Sequence, residues 1–236
     1  DYTGGGCPHI LAEPMRTNIV FPSDVAVTQT RTVTAVAYAL SFYGTGSIVL
    51  SGTHSATLTG TGVNDRVDLI FTPTAGSLVL TVSGTVTNFQ LEVGSYATSV
   101  IPTVSGQVTR NQDIFTRDGI GSLINSTEGV LFAEIAALAD DSTNRSIALS
   151  DGSSNNRILF RYEGSNTIRG FVINGGVIQA NFTFTHNNIN NLKFAIKWKL
   201  NDFAYWVNGT EVLTDASGSV PTGLNRLALD NGSGLQ

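Results

Sequence analysis

The chain has 236 residues and a formal net charge of −5, and only 13% of its residues are charged, which is about half the usual share. This composition excludes charged disorder and coiled coil, and the pI of about 5.1 excludes a broad basic surface for nucleic acid. No apolar run approaches the length of a membrane-spanning helix, and the single Cys7 excludes an internal disulfide.

The first half of the chain alternates apolar and polar residues in short segments. Tyr38, Leu40 and Phe42 alternate with smaller or polar residues, and the segment 67–82 repeats the pattern. Alternation with a period of two is typical of strands with one buried face. Turn signals recur about every 8–12 residues, as in sandwiches and jelly rolls. The sequence therefore predicts an all-β sandwich or jelly roll over residues 1–104.

The alternation is lost after Ile101. The stretch from there to Arg110 is polar and contains Pro102 and Gly106. Loss of pattern together with proline and glycine is typical of a boundary between domains. We predict a linker over residues 105–112.

The second half predicts another antiparallel sandwich, over residues 113–236. Glycine- and asparagine-rich turns separate longer apolar segments, which indicates hairpins. One helical turn is expected around 117–125. We expect the strand that closes this sandwich against its first strand to lie beyond residue 236. The predicted strands are 129–137, 145–150, 157–163, 168–173, 177–184, 192–200, 203–207 and 225–229.

Two segments resemble those of a recurrent class of bacteriophage tail and fibre-like virion proteins. The leading segment, Asp1–Asn18, contains DYTGGGCP and ILAEPMRTN, similar to the pattern DY…G-C-P…L-L-E-P-x-R-T-N-L of that class. The exit segment, Gln90–Asp113, contains QLEVGSYATSVIPT and VTR, similar to Q-L-E-x-G-x-x-A-T-x-Y-I-P-T…V-T-R-x-x-D. Val100 stands where the class usually has an aromatic residue.

The resemblance extends to both predicted domains. Residues 38–43 and 66–73 are similar to core strands of the jelly roll of carbohydrate-binding modules, and 128–231 resemble a concanavalin-A/laminin-G-like sandwich. The class implies an extracellular virion location, no catalysis, and frequently a trimeric homo-oligomer with other virion subunits as partners. Because the chain begins at Asp1 with neither methionine nor signal peptide, we expect a piece of a longer or processed polypeptide.

These features predict a non-enzymatic phage virion appendage module for adhesion or receptor recognition, with a bacterial surface glycan as the candidate ligand. The alternative is a structural decoration or fibre module whose surfaces contact other subunits. A glycan depolymerase is disfavoured. Glycoside hydrolysis needs two carboxylates in a cleft, whereas Glu134 is the lone acid on its predicted strand.

No catalytic motif appears among the nucleophile and base residues. His9, His54 and His186 lie in loop-like or strand-edge contexts, and no zinc, phosphate-binding or serine-nucleophile motif occurs. Cys7 lies in a predicted turn, two residues from His9. We expect no cofactor, and structural calcium stays open against the alternative of ordinary turn residues. Its candidate ligands are Asp140, Asp141, Asp151 and Asn155, and separately Glu13 and Glu92.

Five charged residues fall in the leading and exit segments: Glu13, Arg16, Glu92, Arg110 and Asp113. Arginine pairs well with carboxylates at partly buried sites. We therefore predict an ion-pair cluster that fixes the two segments beside each other at the domain junction. A cluster that contacts a receptor is the alternative.

Sugar recognition normally uses aromatic faces with nearby hydrogen-bonding groups. In the first domain, Tyr43 and Tyr96 lie near predicted turns. The second domain holds both tryptophans, and there the candidates for contacting a ligand or another subunit are Trp206, Lys197 and Lys199.

The segments on either side of Asn201-Asp202 predict a hairpin with a two-residue turn. In that register Lys197 pairs with Trp206, and Trp206 faces outward as a cation–π partner, a subunit contact or a sugar platform. Trp198 lies on the opposite face, which is continuously apolar and therefore predicted to face the core. That face carries Phe194, Ile196, Trp198, Leu200, Phe203, Tyr205 and Val207.

Overall fold

The computed structural model describes residues 10–186 and 192–233. These residues form nineteen β-strands and one turn of 3-10 helix at Gly121–Leu123, within the range where the sequence predicts a helical turn. The chain divides into two units, Asp1–Asp113 and Ile114–Gln236. All strand pairs in both units are antiparallel, so the predicted all-β class with two sandwiches is confirmed. No helix within the described ranges is long and apolar enough to cross a membrane.

The first unit has two main sheets, with strand orders β2-β7-β4-β5 and β6-β3-β8. β1 lies beside β8, where the backbone N–H of Ile19 donates to the Leu91 carbonyl at 3.0 Å. The neighbours are therefore 1 with 8, 2 with 7, 3 with 6 and 4 with 5, which is the strand order of a jelly roll. The strands are β1 (Arg16–Asn18), β2 (Gln29–Val33), β3 (Tyr38–Gly44), β4 (Ser47–Gly52), β5 (Ala56–Thr59), β6 (Gly62–Phe71), β7 (Gly76–Ser83), β8 (Val86–Val93) and β9 (Val108–Arg110).

The core of the first unit lies between these two sheets. Leu40 and Phe42 of β3 are fully buried there and pack in one cluster with Leu78 and Leu80 of β7. Successive side chains of a strand point to opposite faces, so the alternating residues of the sequence become the inner faces of the two sheets.

The predicted linker at 105–112 is wrong in part, because it contains a strand. β9 pairs with β1 in a short antiparallel sheet in which Arg110 lies opposite Arg16. The unit boundary falls after Asp113. A three-residue strand whose partner is distant in sequence leaves no local alternation, which is why the pattern reads as a linker.

The second unit has a six-stranded sheet, β10-β19-β12-β13-β14-β15, and a four-stranded sheet, β11-β16-β17-β18. Its strands are β10 (Thr116–Arg117), β11 (Glu128–Ile135), β12 (Arg145–Ser150), β13 (Arg157–Gly164), β14 (Thr167–Asn174), β15 (Val177–Thr185), β16 (Leu192–Lys199), β17 (Phe203–Val207), β18 (Thr210–Asp215) and β19 (Arg226–Ala228).

Two strands of this unit correct the sequence prediction. β19 pairs with β10 as well as with β12, so a strand before residue 236 already pairs with the first strand of this unit, which the sequence prediction placed beyond residue 236. β18 is not among the predicted strands. It follows a tight turn at Asn208-Gly209, where both residues have positive φ of 50° and 82°. An Asn-Gly pair is a strong hairpin signal, so the sequence does contain the sign of this strand.

Aromatic rings fill the core between the two sheets of the second unit. The Tyr205 ring is fully buried and stacks on Phe182, with ring centroids 5.6 Å apart. Phe194 and Phe160 lie against its other sides at 6.0 and 6.1 Å. Such ring contacts add stability beyond the burial of area alone. This cluster holds the four-stranded sheet in place, and the outward face of that sheet carries the candidate site.

Candidate functional site

The β16–β17 hairpin has a two-residue turn, as the sequence predicts, but the turn lies one residue earlier, at residues 200–201. Lys197 lies opposite Ala204, and the N–H of Asp202 donates to the Lys199 carbonyl at 2.9 Å, which closes the turn around residues 200 and 201. The predicted register is therefore wrong by two residues. A shift of two preserves the faces, because side chains alternate with a period of two.

Both tryptophans lie on their predicted faces. Trp198 is 3% exposed in the core, whereas Trp206 is half-buried on the outward side. The core-facing prediction fails for Leu200, which lies in the turn and is 61% exposed. Gly129 lies opposite Trp198 on β11, and a Cβ there would overlap the indole ring. The glycine therefore gives the indole the space it occupies.

An aromatic surface forms on the outward face of β11, β16 and β17. Phe132, Ala195 and Trp206 are consecutive partners across these three strands. Phe132 is 61% exposed. Because the small Ala195 side chain separates two large rings, a depression of about 290 Å³ opens here. It is lined by Phe132, Lys193, Phe194, Ala195, Trp206, Asn208 and Gly209.

The lysines of this sheet are paired with carboxylates. The chain has three lysines, and all lie on the outward side of β16. Lys197 Nζ is 2.5 Å from Asp202 Oδ1, and Lys199 Nζ is 3.1 Å from Glu128 Oε2. Lys193 Nζ is 4.0 Å from Glu134 Oε2. The three lysines and three acids cancel, so the aromatic surface carries no net charge from them.

The predicted pairing of Lys197 with Trp206 is wrong, since Trp206 lies opposite Ala195. The polar groups beside the depression come from Lys193 and Asn208 instead. Asn208 Oδ1 accepts from the Lys193 backbone N–H at 3.0 Å, and Asn208 donates its own N–H to the Lys193 carbonyl at 2.8 Å. These two bonds fix the Asn208 side chain at the rim.

The two tyrosine candidates of the first unit lie apart. Tyr43 is half-buried near one end of β3, opposite Arg66 of β6 and Thr87 of β8. Tyr96 follows the far end of β8, where the Arg16 guanidinium lies 5.5 Å from its ring centroid. The structure therefore does not bring them together as one aromatic platform.

The charged residues of the leading and exit segments lie close together within the first unit. Arg110 Nη1 is 2.7 Å from Glu13 Oε2, and Glu13 Oε1 accepts from the Ser99 N–H at 2.7 Å. Asp113 Oδ2 accepts from the Glu13 N–H at 3.1 Å. These contacts tie the two segments to each other beside the β1–β9 sheet.

Glu92 forms a second polar centre beside this cluster. It is fully buried and accepts from the N–H and the hydroxyl of Thr98 at 2.8 and 2.7 Å, and from Gln90 Nε2 at 2.7 Å. Arg16 Nε lies 3.8 Å from the same carboxylate. A buried carboxylate requires such partners, so its contacts fix the exit segment on the sheet.

The loop acids are engaged locally. Asp141 pairs with Arg145 at 2.9 Å, and Asp140 accepts from the Asn166 N–H at 3.0 Å. Burial raises the pKa of Asp151, but hydrogen bonds from Ser153 and Asn156 outweigh it and hold the pKa below its ordinary value. Within the described ranges, no group of three or more metal-binding side chains comes together.

The two described histidines each lie against an aromatic ring of their own unit. The His54 ring lies against Phe71 at 4.7 Å, and His186 is buried edge-on to Tyr162 at 5.6 Å. Cys7 and His9 lie outside the described residues.

Comparisons with known proteins give the chain no family. No protein-family model matches it, and no curated protein matches it. Sheep galectin-11 in complex with glycerol is similar over 49% of this chain and 88% of its own, with 9% identity and a TM-score of 0.35. Domains LG4-5 of the mouse laminin alpha1 chain are similar over 92% and 78%, with 9% identity and a TM-score of 0.36. Scores this low carry no argument about function.

Proposed function

We propose that the chain is a non-enzymatic adhesion module that recognises a bacterial surface glycan through the aromatic surface. The observation that carries this proposal is the depression between Phe132 and Trp206. The leading and exit segments, which resemble phage tail and fibre proteins, support placing the module in an extracellular virion appendage. Other virion subunits, in a homotrimer, are then its structural partners.

The chemistry of the depression suits a sugar ring. The C–H faces of a pyranose stack on aromatic rings, and its hydroxyl groups need a few fixed polar neighbours. Phe132 and Trp206 supply the two rings, and Asn208 with Lys193 supplies the polar rim. The lining is mostly apolar, as in small-molecule sites generally.

A structural subunit contact is the second candidate for the same surface. Protein interfaces combine an apolar centre with a polar rim. Here Val130 and Phe132, both about 60% exposed, are flanked along β11 by Glu128 and Glu134, each paired with a lysine. This rim of ion pairs favours a protein partner as the alternative to a glycan.

A glycan array probed with the full chain tests the proposal. We expect binding that weakens roughly tenfold or more in Trp206→Ala and in Phe132→Ala, since a stacked aromatic is the usual centre of a contact. Leu200→Ala is the matched control. Leu200 is as exposed as Phe132, and it lies in the turn of the β16–β17 hairpin, which carries Trp206.

The molar mass in solution separates the two candidates. An array with no binding, together with an oligomer that dissociates in Trp206→Ala, would assign the surface to subunit contact. Glycan binding that is equal in Trp206→Ala and Leu200→Ala would contradict the proposed site.

A further inference from the structure

Four arginines share the outer face of the six-stranded sheet, on the side away from the core of the second unit. Arg157 and Arg161 lie on β13, Arg169 lies opposite Arg161 on β14, and Arg226 lies on β19. Ser150 of β12 is the register partner of both Arg157 and Arg226, which places it between them. We call this surface the arginine face.

Arg161 and Arg169 are held in fixed positions. Both guanidinium groups lie 4.7 Å from the centroid of the Phe171 ring. Both also contact the Glu163 carboxylate, and Asn181 Oδ1 accepts from Arg169 at 2.9 and 3.2 Å. One carboxylate thus serves two cations, which leaves a net positive charge in this part of the face.

Arg157 has no acidic partner in the part of the chain that the structure describes. Its Nη1 donates to the Asn231 carbonyl at 2.5 Å, while its buried Nε has no hydrogen-bond partner among the described residues. Burial and the nearby Arg161 both hold the pKa of Arg157 below its usual value. A partly buried cation without a counter-charge is unfavourable, so this site favours an anion.

We propose that the arginine face binds an acidic polysaccharide, whose carboxylate or sulfate groups accept hydrogen bonds from Arg157 and Arg161. At about 3.3 Å per residue along a strand, these two arginines are about 13 Å apart at their backbones, which suits successive charges of one polymer better than a single small ion. Among the described residues, the carboxylates paired with these four arginines are Glu163 and Asp118, which lies 3.4 Å from Arg226, and they offset two of the four positive charges. The site lies on the other sheet from the aromatic surface and does not depend on the glycan proposed there.

Binding of fluorescent polymers to the full chain tests the inference. The probes are polygalacturonate, dextran sulfate and neutral dextran, at about 50 and 300 mM salt, where screening of surface charges differs strongly. We expect one or both acidic polymers to bind at low salt and weaken at high salt, with no binding of neutral dextran. The two acidic probes distinguish carboxylate from sulfate recognition.

Single substitutions test whether the acidic polymers bind to the arginine face. Arg157→Gln and Arg161→Gln are each expected to weaken binding roughly tenfold, the loss of a charge-assisted hydrogen bond. Arg117→Gln is the matched control, since Arg117 is exposed on β10 and alternates onto the opposite side of the sheet. Trp206→Ala should leave acidic-polymer binding unchanged, which separates this site from the aromatic surface.

A variant that is expected to bind more tightly tests the inference even if Arg157→Gln fails to fold. Glu163→Gln releases Arg161 and Arg169 from their shared carboxylate and should tighten binding about threefold. Glu134→Gln makes the same change of charge on the other sheet and should have no effect. No salt-sensitive binding of either acidic polymer would overturn the inference, as would equal affinities for Glu163→Gln and Glu134→Gln.

Discussion

Removing one oxygen from the core of the second unit should stabilise it. The Tyr205 ring is fully buried and packed between Phe182 and Phe194, yet its hydroxyl has no hydrogen-bond partner among the described residues. Tyr205→Phe keeps the ring and its contacts and deletes the unpaired group.

The expected gain follows from two opposing contributions. A buried hydroxyl without a partner is unfavourable by about 1–3 kcal/mol. Deleting it leaves a void no larger than one water, about 15 Å³, which at about 24 cal/mol per Å³ costs about 0.4 kcal/mol. We therefore expect the free energy of unfolding of Tyr205→Phe to rise by about 1–2 kcal/mol at neutral pH.

The same substitution should change the response to alkali. Burial, with a smaller effect of Tyr162, raises the pKa of Tyr205 well above its usual value, and burial raises the pKa of Tyr162 to about 12. Both phenols stay neutral in the fold while the unfolded chain ionises above about pH 10. The stability that comes from keeping these phenols neutral is complete below about pH 10. Above it, the free energy of unfolding falls by up to about 1.4 kcal/mol per pH unit for each group. Tyr205→Phe removes one of the two contributions.

Urea unfolding followed by tryptophan fluorescence measures both effects. Both tryptophans belong to the second unit, so the signal reports that unit alone. Tyr43→Phe, in the first unit, is the control and should leave the curves unchanged. A loss of more than about 0.5 kcal/mol at neutral pH would mean that the Tyr205 hydroxyl is hydrogen-bonded after all. An unchanged loss of stability between about pH 10 and 12 would refute the pKa argument.

Trp198→Ala should destabilise the second unit by about 3–5 kcal/mol, because it empties a core position, whereas Trp206→Ala should stay folded. Circular dichroism with denaturant compares the two directly. Limited proteolysis should cut first within residues 111–115, between β9 and the second unit, and a first cut within 64–72 or 192–200 would argue against two domains. The full chain should release no reducing ends from bacterial surface polysaccharides, and release that Glu134→Gln abolishes would show a hydrolase.

Local alternation predicts which residues face the core but not how strands pair. Trp198 and Trp206 take their predicted faces because the period of two survives any even shift in register. The register itself depends on where the two-residue turn lies. It lies at residues 200–201 and not at Asn201-Asp202, and the apolar pattern does not encode that position.

The large distance in sequence between paired strands explains the other differences between the sequence prediction and the structure. β9 and β19 are three residues each, and their partners lie far away in sequence. The candidate site likewise combines a residue that the sequence indicates with one that it does not. The sequence indicates Trp206, but Phe132 joins it only because β11 pairs with β16, which no local pattern reveals.

The placement of all three lysines on one strand face decides how the protein can be attached to a surface or a dye. Amine-reactive reagents modify lysine side chains and the α-amino group, so such coupling would modify the aromatic surface at Lys193, beside the depression. A sensor chip prepared in that way would hold many molecules with this face against the matrix and would report no glycan binding even if the site were intact. Thiol coupling at Cys7, the only cysteine, leaves the three lysine side chains of β16 unmodified.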